Sequence, residues 1–249
     1  MGKKLQKVLL ALLFLLGLAV FCYPYAQGFL VKREMESTVQ TFQEQKETQP
    51  TTSVLIPAST QPSEQRQYAD LWADMTAYNE TIFAHGQSGL SCKLDYQQPS
   101  FRLADYGLKE EVFGFLTIPA MELEMPIYLG ATEQHMADGA AHLSQTSLPI
   151  GGANTNSVIA GHRGYGGASY FRYIDMLKIG DIVTVTNLWE TLTYRVAEIK
   201  ILYPYQVEGI LIQPGRELLT LLTCHPYASG GKQRYLVICE RVYQEEDYG

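Results

Sequence analysis

Three residues with the side chains needed for acyl transfer, Cys224, His162 and Arg234, lie at the ends of predicted β-strands. A cysteine attacks a carbonyl carbon as its thiolate, a histidine carries the proton, and an arginine can donate hydrogen bonds to the oxyanion that forms. Taken singly, a cysteine is most often buried and inert, and a histidine or arginine most often makes an ordinary surface or hydrogen-bonding contact. The three residues therefore predict a site only if the fold brings them to one cleft.

The elements that must position these residues are short β-rich runs in the second half of the chain. Gly, Pro, Asn and Asp separate the runs, and this pattern predicts an antiparallel barrel or sandwich. His162 ends the third run, Cys224 ends the sixth and Arg234 begins the seventh. The seven runs cover residues 112–118, 124–128, 157–162, 182–186, 191–202, 217–224 and 234–242.

The last two runs predict a hairpin in which Cys224 lies near Arg234. In that register Cys239 lies opposite Leu219, and at roughly 3.3 Å per residue it is about 16 Å from Cys224 along the strands, too far for a disulfide. Cys239 is therefore expected in the core. Cys92 is either an unpaired loop thiol or a core residue.

Other basic residues and histidines compete for the same roles. Arg241 lies at the far end of its strand, and Arg163 points away from the side chain of His162 if that strand continues. His225 adjoins Cys224, but neighbouring side chains diverge on an extended chain. We therefore expect His225 to act through its backbone N–H or to form a wall of the substrate site.

Residues 1–33 predict a membrane anchor with flanking charges. Three lysines precede an uncharged segment, residues 8–31, which is about long enough to cross a bilayer as a helix. A cleaved signal peptide fits the charged start and apolar middle as well. No good small-x-small cleavage site follows the apolar run, and Phe21 before Cys22 argues against lipoprotein processing. A retained anchor with the rest of the chain extracytoplasmic is therefore favoured.

The segments after the anchor differ in composition. Residues 34–65 are rich in Gln, Glu, Thr, Ser and Pro and predict a flexible extracytoplasmic stalk, the alternative being a loosely packed extension of the head. Residues 66–111 predict a helix, whose apolar positions recur at intervals of three and four, followed by an irregular segment. Residues 112–249 predict the β-rich head.

Composition excludes several classes of function. The 249-residue chain has a formal net charge of −7, without the basic excess that phosphate contacts need, so nucleic acid is not an expected partner. No cysteine pair has the spacing of a zinc site, and no glycine-rich stretch matches a phosphate loop, so neither a metal nor another cofactor is expected.

Three linked motifs carry a family resemblance. Residues 142–152, 157–164 and 220–227, with Arg234 beyond, resemble the sortases in the order of that family, and among them the class C pilin polymerases. The resemblance covers approximately residues 112–241. It implies an all-β fold with short helices, in which an eight-stranded sortase-type β-barrel follows an N-terminal helix.

The resemblance also implies roles for individual residues. Cys224 would be the nucleophile, His162 the general acid/base and Arg234 the charged clamp. The oxyanion of such a reaction needs donors, which the Arg234 guanidinium and the backbone N–H of His225 could supply. Weaker substrate-binding candidates are Thr223 and Tyr227. The implied substrates are pilins or other surface proteins with a C-terminal sorting signal of the Leu-Pro-x-Thr-Gly type, joined through a thioester to a lysine amine.

Two features differ from the class C pattern. Residues 86–111 lack the Asp-Pro-aromatic lid motif, with only partial echoes at Asp95-Tyr96 and Asp105-Tyr106, so we expect a site without the usual lid. The printed sequence also has no C-terminal membrane helix after the barrel. Two alternatives stay open: an enzyme of the same chemistry that anchors proteins to peptidoglycan, and a membrane-tethered binding module in which Cys224 is merely structural.

Overall fold

The structure is a computed structural model that describes residues 2–48, 68–87, 90, 96–108 and 111–243. Cys92 and Asp95 lie outside the described residues, so the predictions for them stay as stated. The described α-helices are α1 Lys3–Thr48, α2 Ala69–Ala84 and α3 Glu133–Asp138. The described strands are β1 Val112–Ile118, β2 Leu123–Leu129, β3 Ala140–His142, β4 Thr155–Ala160, β5 Ile182–Asn187, β6 Thr191–Leu202, β7 Glu217–His225 and β8 Gln233–Arg241.

The eight strands form a closed barrel in the order β1-β2-β3-β4-β7-β8-β6-β5. The expected all-β barrel is thus confirmed and the sandwich is excluded. Two of the pairs, β2–β3 and β4–β7, are parallel, whereas the sequence pattern predicted an antiparallel barrel throughout. The seven predicted runs correspond to every strand except β3. This strand has only three residues, too few to show an alternating pattern in the sequence.

The barrel interior is filled by alternate residues of each strand. On β7 and β8 these include Leu219, Leu221, Val237 and Cys239, which belong to the main core cluster. Cys239 is fully buried and free, as expected.

The intervening residues of β7 and β8 lie on the outer face of the barrel. Leu222 and Leu236 pack there in a second cluster with Ile210, which belongs to the connection between β6 and β7. Cys224 and Arg234 are two residues from Leu222 and Leu236 along their strands, so they share this outer face.

The helix α1 extends further than the sequence predicted. It is long and apolar enough at its N-terminal end to cross a membrane, and it continues without a break through residues 34–48, the first half of the expected flexible stalk. The stalk prediction is therefore wrong for residues 34–48, and its remainder, residues 49–65, lies outside the described residues.

An apolar stripe explains why residues 34–48 are ordered. Three buried residues at helical spacing, Met35, Val39 and Phe42, face the barrel, and Phe42 meets Phe115 edge to face with ring centroids 6.0 Å apart. The residues between these three are mostly polar, so the helical spacing of the apolar residues was not recognised in the sequence. Burial against the barrel supplies the free energy that the segment lacks alone.

The helix α2 falls within the helix predicted for the start of residues 66–111. Leu71 and Met75 are fully buried against the barrel, as their spacing predicted. Asn79, on the same face, accepts from the N–H of Leu148 at 2.7 Å and donates to its carbonyl at 3.3 Å.

Candidate active site

Cys224 and Arg234 lie directly opposite each other in the ladder between β7 and β8. This is the register that the hairpin pattern predicted, with Cys239 opposite Leu219. A Cβ atom built on Gly231, in the connecting turn, would lie 3.2 Å from Cys224 Sγ and 3.0 Å from Arg234 Nη1. The sulfur and the guanidinium therefore border the same small space.

The guanidinium of Arg234 is held by the turn that it follows. Its Nη1 donates to the carbonyl of Gly231 at 2.7 Å and to that of Gln233 at 3.1 Å, and the residue is 7% exposed. A planar guanidinium fixed in this way presents its donors in a defined direction. The clamp implied for Arg234 is compatible with this geometry.

His162 follows the end of β4, which runs parallel to β7. The last pair of that ladder is Ala160 with Leu222, and the N–H of Gly161 donates to the carbonyl of Leu222 at 3.1 Å. His162 and Cys224 are each two residues beyond that last pair. Because parallel strands lie about 4.8 Å apart, the register makes these two residues neighbours at the strand ends.

Two tyrosines hold the imidazole of His162. The ring of Tyr165 stacks on it with centroids 4.5 Å apart and planes at 20°, and Tyr170 meets it edge to face at 6.0 Å. Burial lowers the pKa of His162 below its ordinary value, since the charged imidazolium loses hydration there. Burial therefore favours the neutral imidazole over the imidazolium. Tyr165 was not among the residues predicted from the sequence, although its position three residues after His162 in a glycine-rich loop was a usable signal.

The rival clamp Arg163 is used elsewhere. Its Nη1 donates to Nδ1 of His225 at 2.9 Å and its Nη2 lies 3.0 Å from Asp175 Oδ2. Its guanidinium also lies over the ring of Tyr235, 5.2 Å from the centroid. The alternation of side chains along a strand predicted that Arg163 points away from the side chain of His162. The contact of Arg163 with Tyr235, a member of the interior cluster, agrees with that prediction.

The other rival clamp, Arg241, lies at the opposite end of β8 from Arg234. Its Nε is 3.1 Å from Glu217 Oε1, and the two side chains are 12% and 3% exposed. Tyr194 and Tyr243 also donate to this carboxylate, at 3.1 Å and 2.8 Å. Glu217 begins β7, about 23 Å from Cys224 at roughly 3.3 Å per residue, so Arg241 belongs to a structural network.

The weaker candidates Thr223 and Tyr227 differ in exposure. Thr223 is fully buried, and its hydroxyl donates to the carbonyl of Gly161 at 2.7 Å. The hydroxyl in that position joins β4 to β7, and the substrate-binding prediction for Thr223 stays a prediction. Tyr227 is 49% exposed, and Arg172 lies 4.7 Å from its ring centroid. Its prediction stands untested.

The partial lid echo at Asp105-Tyr106 lies against α2. The hydroxyl of Tyr106 donates to Asp74 at 2.7 Å, and the ring packs in the cluster of Leu71 and Met75. This echo therefore stabilises the helix. Within the described residues, no group of three or more His, Cys, Asp or Glu side chains is placed to hold a metal ion.

Comparisons with known proteins agree with this geometry. The family model for the sortase domain matches residues 116–242. Two curated relatives are a sortase D of Bacillus subtilis, 29% identical over 131 residues, and a sortase A of Streptococcus agalactiae, 33% identical over 117 residues. The matches cover 52% and 45% of this chain. They span 63% and 47% of those relatives.

Solved structures match over more of the chain. Sortase C1 of the group B Streptococcus pilus island 1 superposes with a TM-score of 0.69 and 27% identity, covering 85% of this chain and 94% of that one. Sortase C2 of the same island gives 0.63 and 35% over 71% and 97%. Sortase C of Streptococcus pneumoniae gives 0.66 and 29% over 84% and 97%. The resemblance noted in the sequence is thereby confirmed, and the chain belongs to the sortase family.

Proposed function

We propose that this protein is a membrane-anchored cysteine transpeptidase that cleaves a Leu-Pro-x-Thr-Gly-like sorting signal of pilin subunits and joins it to a lysine amine. The observation that carries the proposal is the position of three residues at adjacent strand ends. Cys224 on β7 lies opposite Arg234 on β8, and His162 follows the end of β4, which pairs with β7. The structural similarity to sortases of pilus islands, at 27% and 35% identity, supports a pilin as the substrate.

In the first half of the reaction, His162 takes the proton of the Cys224 thiol, and the resulting thiolate attacks the threonyl carbonyl carbon of the signal. The carbon–sulfur bond forms as the carbonyl π-electrons move to oxygen, giving a tetrahedral oxyanion. When the oxyanion collapses, the bond to the glycine nitrogen breaks and His162 supplies the proton that makes the leaving amine neutral. The product is a thioester on Cys224.

The oxyanion needs donors that are in place before the charge forms. The Arg234 guanidinium, fixed by the carbonyls of Gly231 and Gln233, borders the space next to the sulfur. The N–H of His225, next to Cys224 in the chain, is the proposed backbone donor. Loss of one such donor typically slows a reaction roughly 10²–10³-fold.

In the second half, a lysine amine of another pilin attacks the thioester. His162 takes the proton from the attacking nitrogen, the carbon–sulfur bond breaks, and an isopeptide bond remains. Water in place of the amine gives slow hydrolysis. The stacked ring of Tyr165 and the edge-to-face ring of Tyr170 keep the imidazole of His162 oriented for the proton transfers.

The location follows from α1. An N-terminal helix long and apolar enough to span a bilayer, with lysines before it, supports a barrel outside the cell membrane by the positive-inside rule. The substrates are surface proteins, and they are joined outside the membrane.

The test is a ligation assay with the full chain in detergent micelles. Wild-type protein with candidate pilins should give a ladder of covalent oligomers, and the Cys224→Ala variant should give none. A sorting peptide cleaved faster when a lysine peptide is added identifies a ligase. Acceleration only by a peptidoglycan-precursor amine would support the wall-anchoring alternative, and cleavage by Cys224→Ala would contradict the cysteine mechanism.

A further inference from the structure

The loop that follows His162 touches the helix α1 backbone to backbone. A Cβ atom on Gly28 would lie 2.2 Å from the carbonyl oxygen of Gly167 and 2.6 Å from its carbonyl carbon. A Cβ on Gly167 would lie 2.3 Å from the carbonyl oxygen of Pro24. Real Cβ atoms essentially never come within 3.0 Å of another heavy atom, so both positions require glycine.

Side chains next to this contact extend it into the core. Met35 of α1 is 6% exposed and belongs to the same cluster as Ala168, Tyr170 and Phe171, and Val31 packs against that cluster. The loop thus rests on α1 from Pro24 to Met35.

The loop also forms a compact unit with His162. Tyr165 and Ala168 exchange two backbone hydrogen bonds, of 3.1 Å and 2.9 Å, and the N–H of Phe171 donates to the carbonyl of His162 at 2.9 Å. Tyr165 and Tyr170 are the two rings in contact with the imidazole. A displacement of Gly167 therefore displaces the groups that orient His162.

We propose that α1 is a positioning element of the active site, in which Gly28 seats the loop of residues 163–168 and thereby fixes His162 beside Cys224. The proposal rests on the function proposed above. It assigns the anchor helix a role beyond attachment, because the same helix that enters the membrane supports the imidazole.

The contact between Gly28 and Gly167 also fixes the distance of the active site from the membrane. From Val8, where the uncharged segment begins, to Gly28 a helix rises about 30 Å at 1.5 Å per residue, the thickness of the hydrocarbon core. Gly28 therefore lies at the outer edge of the bilayer, and the loop of His162 faces the membrane surface.

Two matched pairs of glycines test the proposal in the full chain. Gly28→Ala adds a methyl group at the seat, and Gly17→Ala adds one on the same helix where nothing lies within 4 Å. Alanine favours a helix over glycine, so neither change weakens α1 itself. On the loop side, Gly167→Ala and Gly166→Ala share the strain of a positive φ, +86° and +55°, but only Gly167 is in contact with the helix.

Steady-state kinetics on a sorting peptide separate positioning from folding. We expect Gly28→Ala to lower kcat 10- to 100-fold relative to Gly17→Ala, because a shift of about 1 Å in a catalytic group has effects of this size. KM should change less than two-fold. The acid limb of kcat/KM should move to higher pH, since a displaced and more exposed His162 regains its ordinary pKa. Gly167→Ala should show the same changes relative to Gly166→Ala.

A substrate-free readout distinguishes this inference from the proposed function. The rate of Cys224 alkylation, followed by mass spectrometry of its peptide, should fall for Gly28→Ala and Gly167→Ala relative to Gly17→Ala and Gly166→Ala, at a temperature at which circular dichroism shows all four variants to be folded. Altered alkylation without any peptide cleavage by wild-type protein would overturn the proposed function and keep the positioning role. Equal kcat, acid limb and alkylation rate within each pair would overturn the positioning role.

Discussion

Nη1 of Arg163 lies 2.9 Å from Nδ1 of His225. This contact distinguishes the role of His225 from that of His162, the other histidine beside Cys224. An arginine keeps its proton, so Nδ1 of His225 must accept the hydrogen bond. Burial and the charge of Arg163 both lower the pKa of His225, which Asp175 partly offsets. The imidazole of His225 is thus held by Arg163, whereas that of His162 is held only by ring contacts among the described neighbours.

This difference predicts unequal effects of the same substitution. His162→Asn should lower kcat/KM for a sorting peptide by about 10²–10⁴-fold, the usual contribution of general acid–base catalysis. His225→Asn removes the ring but keeps the backbone N–H, and we expect less than a ten-fold loss. Equal losses for the two variants would mean that His225 is the proton carrier.

The fork geometry of Arg234 gives a second prediction. Arg234→Lys keeps the positive charge but loses the planar donors, so kcat should fall roughly 10²–10³-fold as for loss of an oxyanion donor. Arg195→Lys, at an exposed position on β6, is the matched control and should be within two-fold of wild type. Peptide cleavage at saturating substrate measures both, and full activity in Arg234→Lys would exclude the clamp.

Gly231 supplies a test of the space between sulfur and guanidinium. Gly231→Ala places a methyl group 3.2 Å from Cys224 Sγ and 3.0 Å from Arg234 Nη1, at a φ of +76°. Gly230→Ala carries similar strain at +69° with nothing within 4 Å. We expect at least a ten-fold lower cleavage rate for Gly231→Ala than for Gly230→Ala. Equal rates would show that a substrate does not enter this space.

The far end of β8 predicts a loss of stability without a loss of catalysis. Arg241→Met leaves the buried carboxylate of Glu217 without its cation, and removing one partner of a buried pair costs about 3–5 kcal/mol. Urea denaturation should show this loss, while kcat at 25 °C stays within two-fold. The double variant with Glu217→Met should recover part of the stability. A lower kcat in folded Arg241→Met would instead indicate that Arg241 contributes to catalysis as a clamp.

His142 predicts how stability depends on pH. Burial lowers its pKa to about 4, from an ordinary value of 6.5, and its Nε2 contacts the carbonyl of Ser147 at 3.0 Å. Below pH 6.5 the unfolded chain therefore binds more protons than the folded chain. Up to about 3 kcal/mol of stability is present above pH 6.5 and is lost as the pH falls towards 4.

The His142→Gln variant isolates this contribution. Its free energy of unfolding should be lower than that of wild type at pH 7.5, because the buried hydrogen bond is replaced imperfectly. The difference between the two proteins should narrow as the pH falls from 7.5 to 4.5, as followed by urea unfolding. A constant difference over this range would place the titration elsewhere.

Local patterns in the sequence determined the strands and the pairing of the last hairpin. Alternation and turn residues predicted β1 and β6 with their observed bounds, and a hairpin that joins the last two runs with Cys224 near Arg234 gave the observed register of β7 on β8. The opposition of Cys224 and Arg234 was therefore available from the sequence, because both residues belong to one hairpin. Residue type and strand-end position also singled out His162, but its place beside Cys224 depends on a pairing between strands that are distant in the chain.

Only the tertiary structure decided what surrounds these residues. The burial of Thr223, the use of Arg163 by His225 and the seat of the His162 loop on Gly28 each join segments that are far apart in the sequence. Residues 34–48 form a helix because the barrel buries one apolar stripe of it. In a segment this polar, the local sequence pattern was too weak to predict the helix. A chain specifies its own strand period, but the contacts of a side chain depend on which distant surface the fold places against it.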